Sequence, residues 1–202
     1  MTHLLSKTCA ALLFAGLAAH AAAAGTVVVD TYPVGEDPFG NASMLNADQH
    51  MAVAFDLASA ATIQSILTSI DGLGGVTVGI QARSGSVPVG ASWLYSTHLT
   101  DPVANSLLSP TGWNLAAGSY WLVARADGDF GGQWQSGTDT PSAAWAYTAG
   151  GAWQTVTPDF TGAPATRITV TSAVPEPATW GLMFVGGLLL AATARRKASQ
   201  QG

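Results

Sequence analysis

The sequence predicts an all-β fold: an antiparallel β-sandwich of jelly-roll type over residues 25–172, flanked by an N-terminal signal peptide and a single C-terminal transmembrane helix. Three observations carry this expectation. Apolar residues alternate with polar or small ones at period two in several short runs, and Gly, Pro, Asn and Asp punctuate the gaps between them. The long uncharged stretches that no half-buried strand would need lie at the two chain ends.

Residues 1–24 have the layout of a secretory leader. Lys7 supplies a short positive region, Ala10 to Ala19 an apolar one, and Ala22-Ala23-Ala24 the small residues of a cleavage site. Signal peptidase is expected to cut after about Ala24, and the alanine run accepts a cut one or two residues earlier equally well. That leader commits the chain to the general secretion machinery. Cys9, the one cysteine, precedes the apolar region and leaves with it. The mature chain then has no thiol for a disulfide or for cysteine-based zinc chemistry, and must fold on its core alone.

Residues 25–172 are enough chain for one domain with its own core. Met51, Val53, Phe55 and Leu57 alternate with Ala52, Ala54 and Asp56, and Val76, Val78 and Ile80 with Thr77 and Gly79. Ser119 to Ala126 and Arg167 to Thr171 follow the same period. Leu115-Ala116-Ala117-Gly118 reads as a turn into the Tyr120–Val123 strand, and Asp127-Gly128-Asp129 as the turn leaving it. Residues 62–70 are ambiguous. Ile63, Ile66, Leu67 and Ile70 fit the helical i, i+3, i+4, i+7 template, while the Thr, Ser and β-branched content favours a strand. A strand is the reading taken here, with a helix as its alternative.

Charge narrows the choice of partners. The whole chain is at −5, but residues 25–172 hold eleven acids against only Arg83, Arg125 and Arg167, a formal charge of −8. Nucleic acid and anionic membrane surfaces call for basic patches and are therefore excluded as partners of the domain. Neutral or cationic partners and divalent cations remain.

Few residues in the domain point to chemistry. Asp127 and Asp129 on a glycine loop could offer oxygen ligands to Ca²⁺, but the loop lacks the further acids of an EF-hand. Asp-Gly is equally an ordinary hairpin dipeptide. No cofactor is expected, with calcium as the sole candidate. Six tryptophans lie in the domain, at 93, 113, 121, 134, 145 and 153. Such rings either fill the core or stack on sugars. Trp134, Trp145 and Trp153 are the candidate carbohydrate contacts, and Trp134, between Gln133 and Gln135 in a loop-like stretch, is the one expected to be most exposed. His50 and His98 have no metal-ligand spacing around them and read as hydrogen-bonded side chains. Arg83-Ser84-Gly85-Ser86 does not supply a nucleophile elbow, and Glu36 is the only domain glutamate for glycosidase chemistry. No enzyme activity is expected.

Residues 173–202 are a second address label. Pro175-Glu176-Pro177 fixes the backbone and blocks helix continuation. Ala178 to Ala194 follows without a charge, seventeen residues at the lower limit for crossing a bilayer. Arg195, Arg196 and Lys197 would remain cytoplasmic, with Trp180 at the opposite interface. A buried core helix is the alternative. A terminal run closed by three cations suits a core poorly.

In these three ordered parts the segment resembles the PEP-CTERM sorting signal of Gram-negative bacteria. The resemblance implies an exosortase, a membrane-embedded transpeptidase-like enzyme, as processing partner. It also implies an inner-membrane intermediate held by the helix, and then transfer to the cell surface or extracellular matrix. Residues 113–122, the stretch Trp145 to Trp153 and Arg167-Ile168-Thr169-Val170 resemble the β-sandwich domains of PEP-CTERM surface proteins. That likeness implies association with exopolysaccharide and biofilm, and brings no catalytic residues with it. The expected function is a non-catalytic surface or matrix protein. The alternative is a carbohydrate-binding module, calcium-assisted or not.

Overall fold

The computed structural model describes residues 25–33, 39–90, 92–137, 143–156 and 162–172. The expected signal peptide, the sorting residues Pro175, Glu176, Pro177, Arg195, Arg196 and Lys197, and the expected helix over 178–194 lie outside the described residues. Among those described, the chain forms β1 (Thr26–Asp30), β2 (Phe39–Asn46), β3 (Met51–Leu57), β4 (Ala61–Thr68), β5 (Ile70–Leu73), β6 (Gly75–Ala82) and β7 (Tyr95–Thr100). It continues with β8 (Ser106–Leu108), β9 (Asn114–Leu115), β10 (Gly118–Ala126), β11 (Gly131–Ser136), β12 (Trp145–Ala149), β13 (Ala152–Val156) and β14 (Thr166–Ser172).

The strands with the clearest alternation occupy the centre. β3, β10 and β6 are neighbours in a six-stranded sheet ordered β13-β12-β3-β10-β6-β7. A five-stranded sheet runs β1-β14-β4-β8 with β9 also on β4, and a three-stranded sheet runs β2-β11-β5. Every strand pairing is antiparallel. This division of six, five and three differs from the eight strands of a jelly roll. The two smaller sheets are stitched together where β4 passes through Ser69 into β5. Ser69 N donates to Ala165 O (3.2 Å), Ala165 N to Gln135 O (2.8 Å), and Gln135 N to Ser69 O (3.0 Å).

One apolar cluster joins the three sheets. Met51, Val53 and Phe55 of β3, Val76, Val78 and Ile80 of β6, and Tyr120 and Leu122 of β10 meet Ile63, Ile66, Ile168 and Val170 of the five-stranded sheet. Leu45, Ile70 and Trp134 extend it into the three-stranded sheet. Fully burying each large apolar side chain contributes about 1.5–3 kcal/mol. That is the driving force available to residues 25–172, which contain no cysteine.

The ambiguous stretch resolves into two strands, and the register shows why it imitates a helix. β4 pairs with β14 through Val170↔Ile63 and then Thr169↔Ser65, so Gln64 is an extra, exposed residue in a β-bulge. Ile63 and Ile66 both reach the core at a spacing of three, which an unbroken strand forbids. Ile70 belongs to β5, after the crossing at Ser69. A bulge plus a change of sheet has written a helical pattern into strand residues.

The six-stranded sheet is covered on its other face as well. Ala52, Ala54, Trp121, Val123 and Ala146 form a second buried cluster there, with Val87, Trp93 and Trp153 packed against it. The small residues opposite the core positions of β3 are therefore a floor under aromatic rings.

Candidate ligand-binding site

This outer face carries a groove built from one row of side chains across the sheet. The β3–β10 register ends at Met51↔Ala124, which places His50 and Arg125 as the next neighbours. On the other side of His50, its N–H donates to Thr148 Oγ1 (2.8 Å) and its carbonyl accepts from Thr148 N (2.9 Å). Thr148 in turn stands opposite Trp153. Trp153, Thr148, His50 and Arg125 thus share a face because alternate residues do. With Asp48 and the turn Gly150-Gly151 they line a groove of about 580 Å³. That turn has φ of 64° and 97° at its two glycines, the left-handed pair that a two-residue hairpin of right-handed twist needs.

Arg125 is half-buried and held in place. Its Nη2 donates to Gly90 O (2.6 Å), and its guanidinium lies 5.0 Å from the Trp93 ring centroid. Burial lowers its pKa. No carboxylate pairs with it among the described residues, whereas Arg167 Nε meets Asp30 Oδ2 at 2.9 Å. His50 is half-buried, and its Nδ1 is enclosed without a hydrogen-bond partner. Burial is the main cause of a lowered His50 pKa, Arg125 lowers it further, and Asp48 opposes both.

A histidine whose pKa falls on folding binds protons more readily in the unfolded chain. Its contribution is fully favourable above the ordinary value of about 6.5, and stability is lost as pH drops through 6.5 toward the folded pKa. Arg125→Gln removes the second cause, so the His50 midpoint is expected to rise toward 6.5. Ring-proton NMR against pH checks this. An unmoved midpoint would mean that the Arg125 cation does not act on His50.

Two of the three candidate carbohydrate contacts are placed elsewhere. Trp134 is not exposed but fully buried, at 0%. Its flanking glutamines are the outward residues of a strand: β11 is the central strand of the three-stranded sheet, and Gln133 and Gln135 reach Asp71 with their amides (3.3 and 3.5 Å). The ring points inward, and its Nε1–H donates to Ala165 O (3.0 Å). Trp145 is also buried, with its ring 6.1 Å from that of Tyr147. Trp153 alone of the three lines the groove.

Asp127 and Asp129 occupy the β10–β11 turn, closed by Phe130 N donating to Asp127 O (3.1 Å). Their carboxylates serve different partners. Asp127 Oδ2 lies 2.9 Å from His98 Nε2, and Asp129 Oδ1 accepts from Gly75 N at 3.4 Å. The nearby Asp101 accepts from Gly74 N at 2.7 Å. Among the described residues no three His, Cys, Asp or Glu side chains assemble into a metal-holding group. These contacts match the hairpin reading of the loop.

His50, Arg125 and Asp48 were not marked as site residues by the sequence. One signal was present: Arg125 is the single cation in the otherwise apolar run Tyr120 to Ala126, in a strongly acidic domain.

The described residues define an all-β domain whose last strand ends at Ser172. The sorting-type segment begins at the next residue. Residues 173–197 match the family model described as the PEP-CTERM protein-sorting motif. No curated protein matches the chain. The motif implies an exosortase as processing partner, export, and a membrane-anchored intermediate before display at the cell surface.

Proposed function

We propose that this chain is a non-catalytic protein of the cell surface or extracellular matrix of a Gram-negative bacterium, associated with exopolysaccharide and biofilm. The observation that carries this reading is the adjoining of two parts. A β-rich domain that closes at Ser172 is followed directly by the sorting motif at 173–197. The outer-face groove presents no ready hydroxyl nucleophile. Its one hydroxyl among the described residues, Thr148 Oγ1, donates to the Asp48 carbonyl (3.1 Å) and accepts from His50 N (2.8 Å), so it is committed to backbone rather than poised as a nucleophile. The test is fractionation of producing cells after Pro175, Glu176 and Pro177 are replaced by Ala. The variant is expected to accumulate with the inner membrane while the parent protein reaches the surface. Equal surface delivery of both would overturn the reading.

Trp153 favours a second reading, the carbohydrate-binding module. A half-buried indole at the edge of an open groove, backed by an alanine floor, is a stacking surface for a sugar ring.

A further inference from the structure

We propose that the groove bounded by Trp153, His50 and Arg125 binds a saccharide that carries a carboxylate. This rests on the carbohydrate-binding reading and adds the ligand's charge and the residue that recognises it.

The domain holds eleven acids and three arginines, yet Arg125 sits half-buried in a groove with no acidic partner among the described residues. A partly desolvated cation is costly without a counter-charge. In a chain so rich in carboxylates, an internal ion pair would have been the simple solution. The guanidinium is instead fixed by a neutral carbonyl, Gly90 O, and by the Trp93 ring. Those contacts hold the cation in position and, among the described residues, engage one of its five N–H donors. A planar carboxylate, with two oxygens for the guanidinium fork, fits the remaining donors.

The rest of the groove selects the body of the ligand. Its volume of about 580 Å³ lies within the range of about 300–1,000 Å³ for small-molecule sites. Trp153 provides an apolar face for a pyranose ring. The exposed Asp48 carboxylate provides an acceptor for its hydroxyls, and solvent screens its repulsion of a ligand anion. The groove's single arginine, in a domain at −8, argues against a densely charged polyanion such as nucleic acid. One carboxylate per ring is the better match.

The test uses the exported protein purified from producing cells, titrated with trigalacturonate and with its fully methyl-esterified form. The two probes share a backbone and differ in charge. Tryptophan fluorescence and calorimetry should show saturable binding of the acid, with the ester weaker by about tenfold or more, as loss of one charge-assisted hydrogen-bond pair implies. Arg125→Gln should weaken the acid to the level of the ester. Arg125→Lys should fall between, keeping charge but losing the fork. Trp153→Ala should weaken both probes. Equal binding of acid and ester, unaffected by Arg125→Gln, would overturn the charge inference while leaving the carbohydrate reading standing. Binding of neither probe would overturn both. Thermal melts show whether Arg125→Gln remains folded; should it unfold, the acid–ester ratio and Arg125→Lys decide alone.

Discussion

Trp134→Ala is expected to destabilise the domain by about 3–5 kcal/mol, the range for removing a large buried aromatic. The indole is fully buried, packs in the cluster that joins the three sheets, and donates its N–H to Ala165 O. Ala165 N is itself bonded to Gln135 in the stitch between the two smaller sheets, so the cavity would open beside the seam of that layer. Domains are stable by only about 5–15 kcal/mol in total, so this loss is a large fraction. Denaturant unfolding at fixed pH measures it. An exposed sugar contact would instead change stability by about 0.5 kcal/mol or less, and such a result would contradict the buried placement. Any binding defect of this variant would therefore report unfolding.

The second large effect is expected at Gly132. It stands opposite Gly72 across β11 and β5. A Cβ on Gly132 would collide with the Asp71 carbonyl and lie 2.7 Å from Phe130 Cζ and 2.8 Å from Gly72 Cα. The reciprocal Cβ on Gly72 would lie 2.7 Å from Gly132 Cα. Backbone lies on one side and the buried Phe130 ring above, so neither neighbour can give way cheaply. Gly132→Val should cost about 3 kcal/mol or more, at the upper end of overpacking penalties. Gly131, the preceding residue, has nothing within 4 Å of its position for a Cβ. Gly131→Val should accordingly stay within about 0.5 kcal/mol of the parent. Paired melting curves of the two variants give the contrast, and equal losses would refute the close-approach argument.

These two sites also show where sequence reading succeeds and where it stops. Strands β3, β6, β10 and β14 were legible because alternate residues of each meet the core without a bulge in the strand, although in β3, β6 and β10 most of the residues between are buried too. β4 was hard to read because Gln64 bulges and Ser69 carries the chain into another sheet, and neither event has a local sequence signature. Trp134 was misplaced because glutamine flanks suit a loop and a central strand with a wet outer face equally well. The groove was invisible for a different reason. His50 and Arg125 become neighbours only through the β3–β10 register, and Trp153 joins them through β12. Pairing of distant strands is a tertiary fact. The sorting motif, by contrast, is a contiguous string of chemistry, and reading it required no fold at all.

The most direct test of the central claim is the intact mass of the protein recovered from the surface of producing cells. Sorting and processing through the motif at 173–197 predicts a species lacking the leader and the segment that follows Pro175-Glu176-Pro177. A surface protein whose mass still includes residues 178–202 would contradict it.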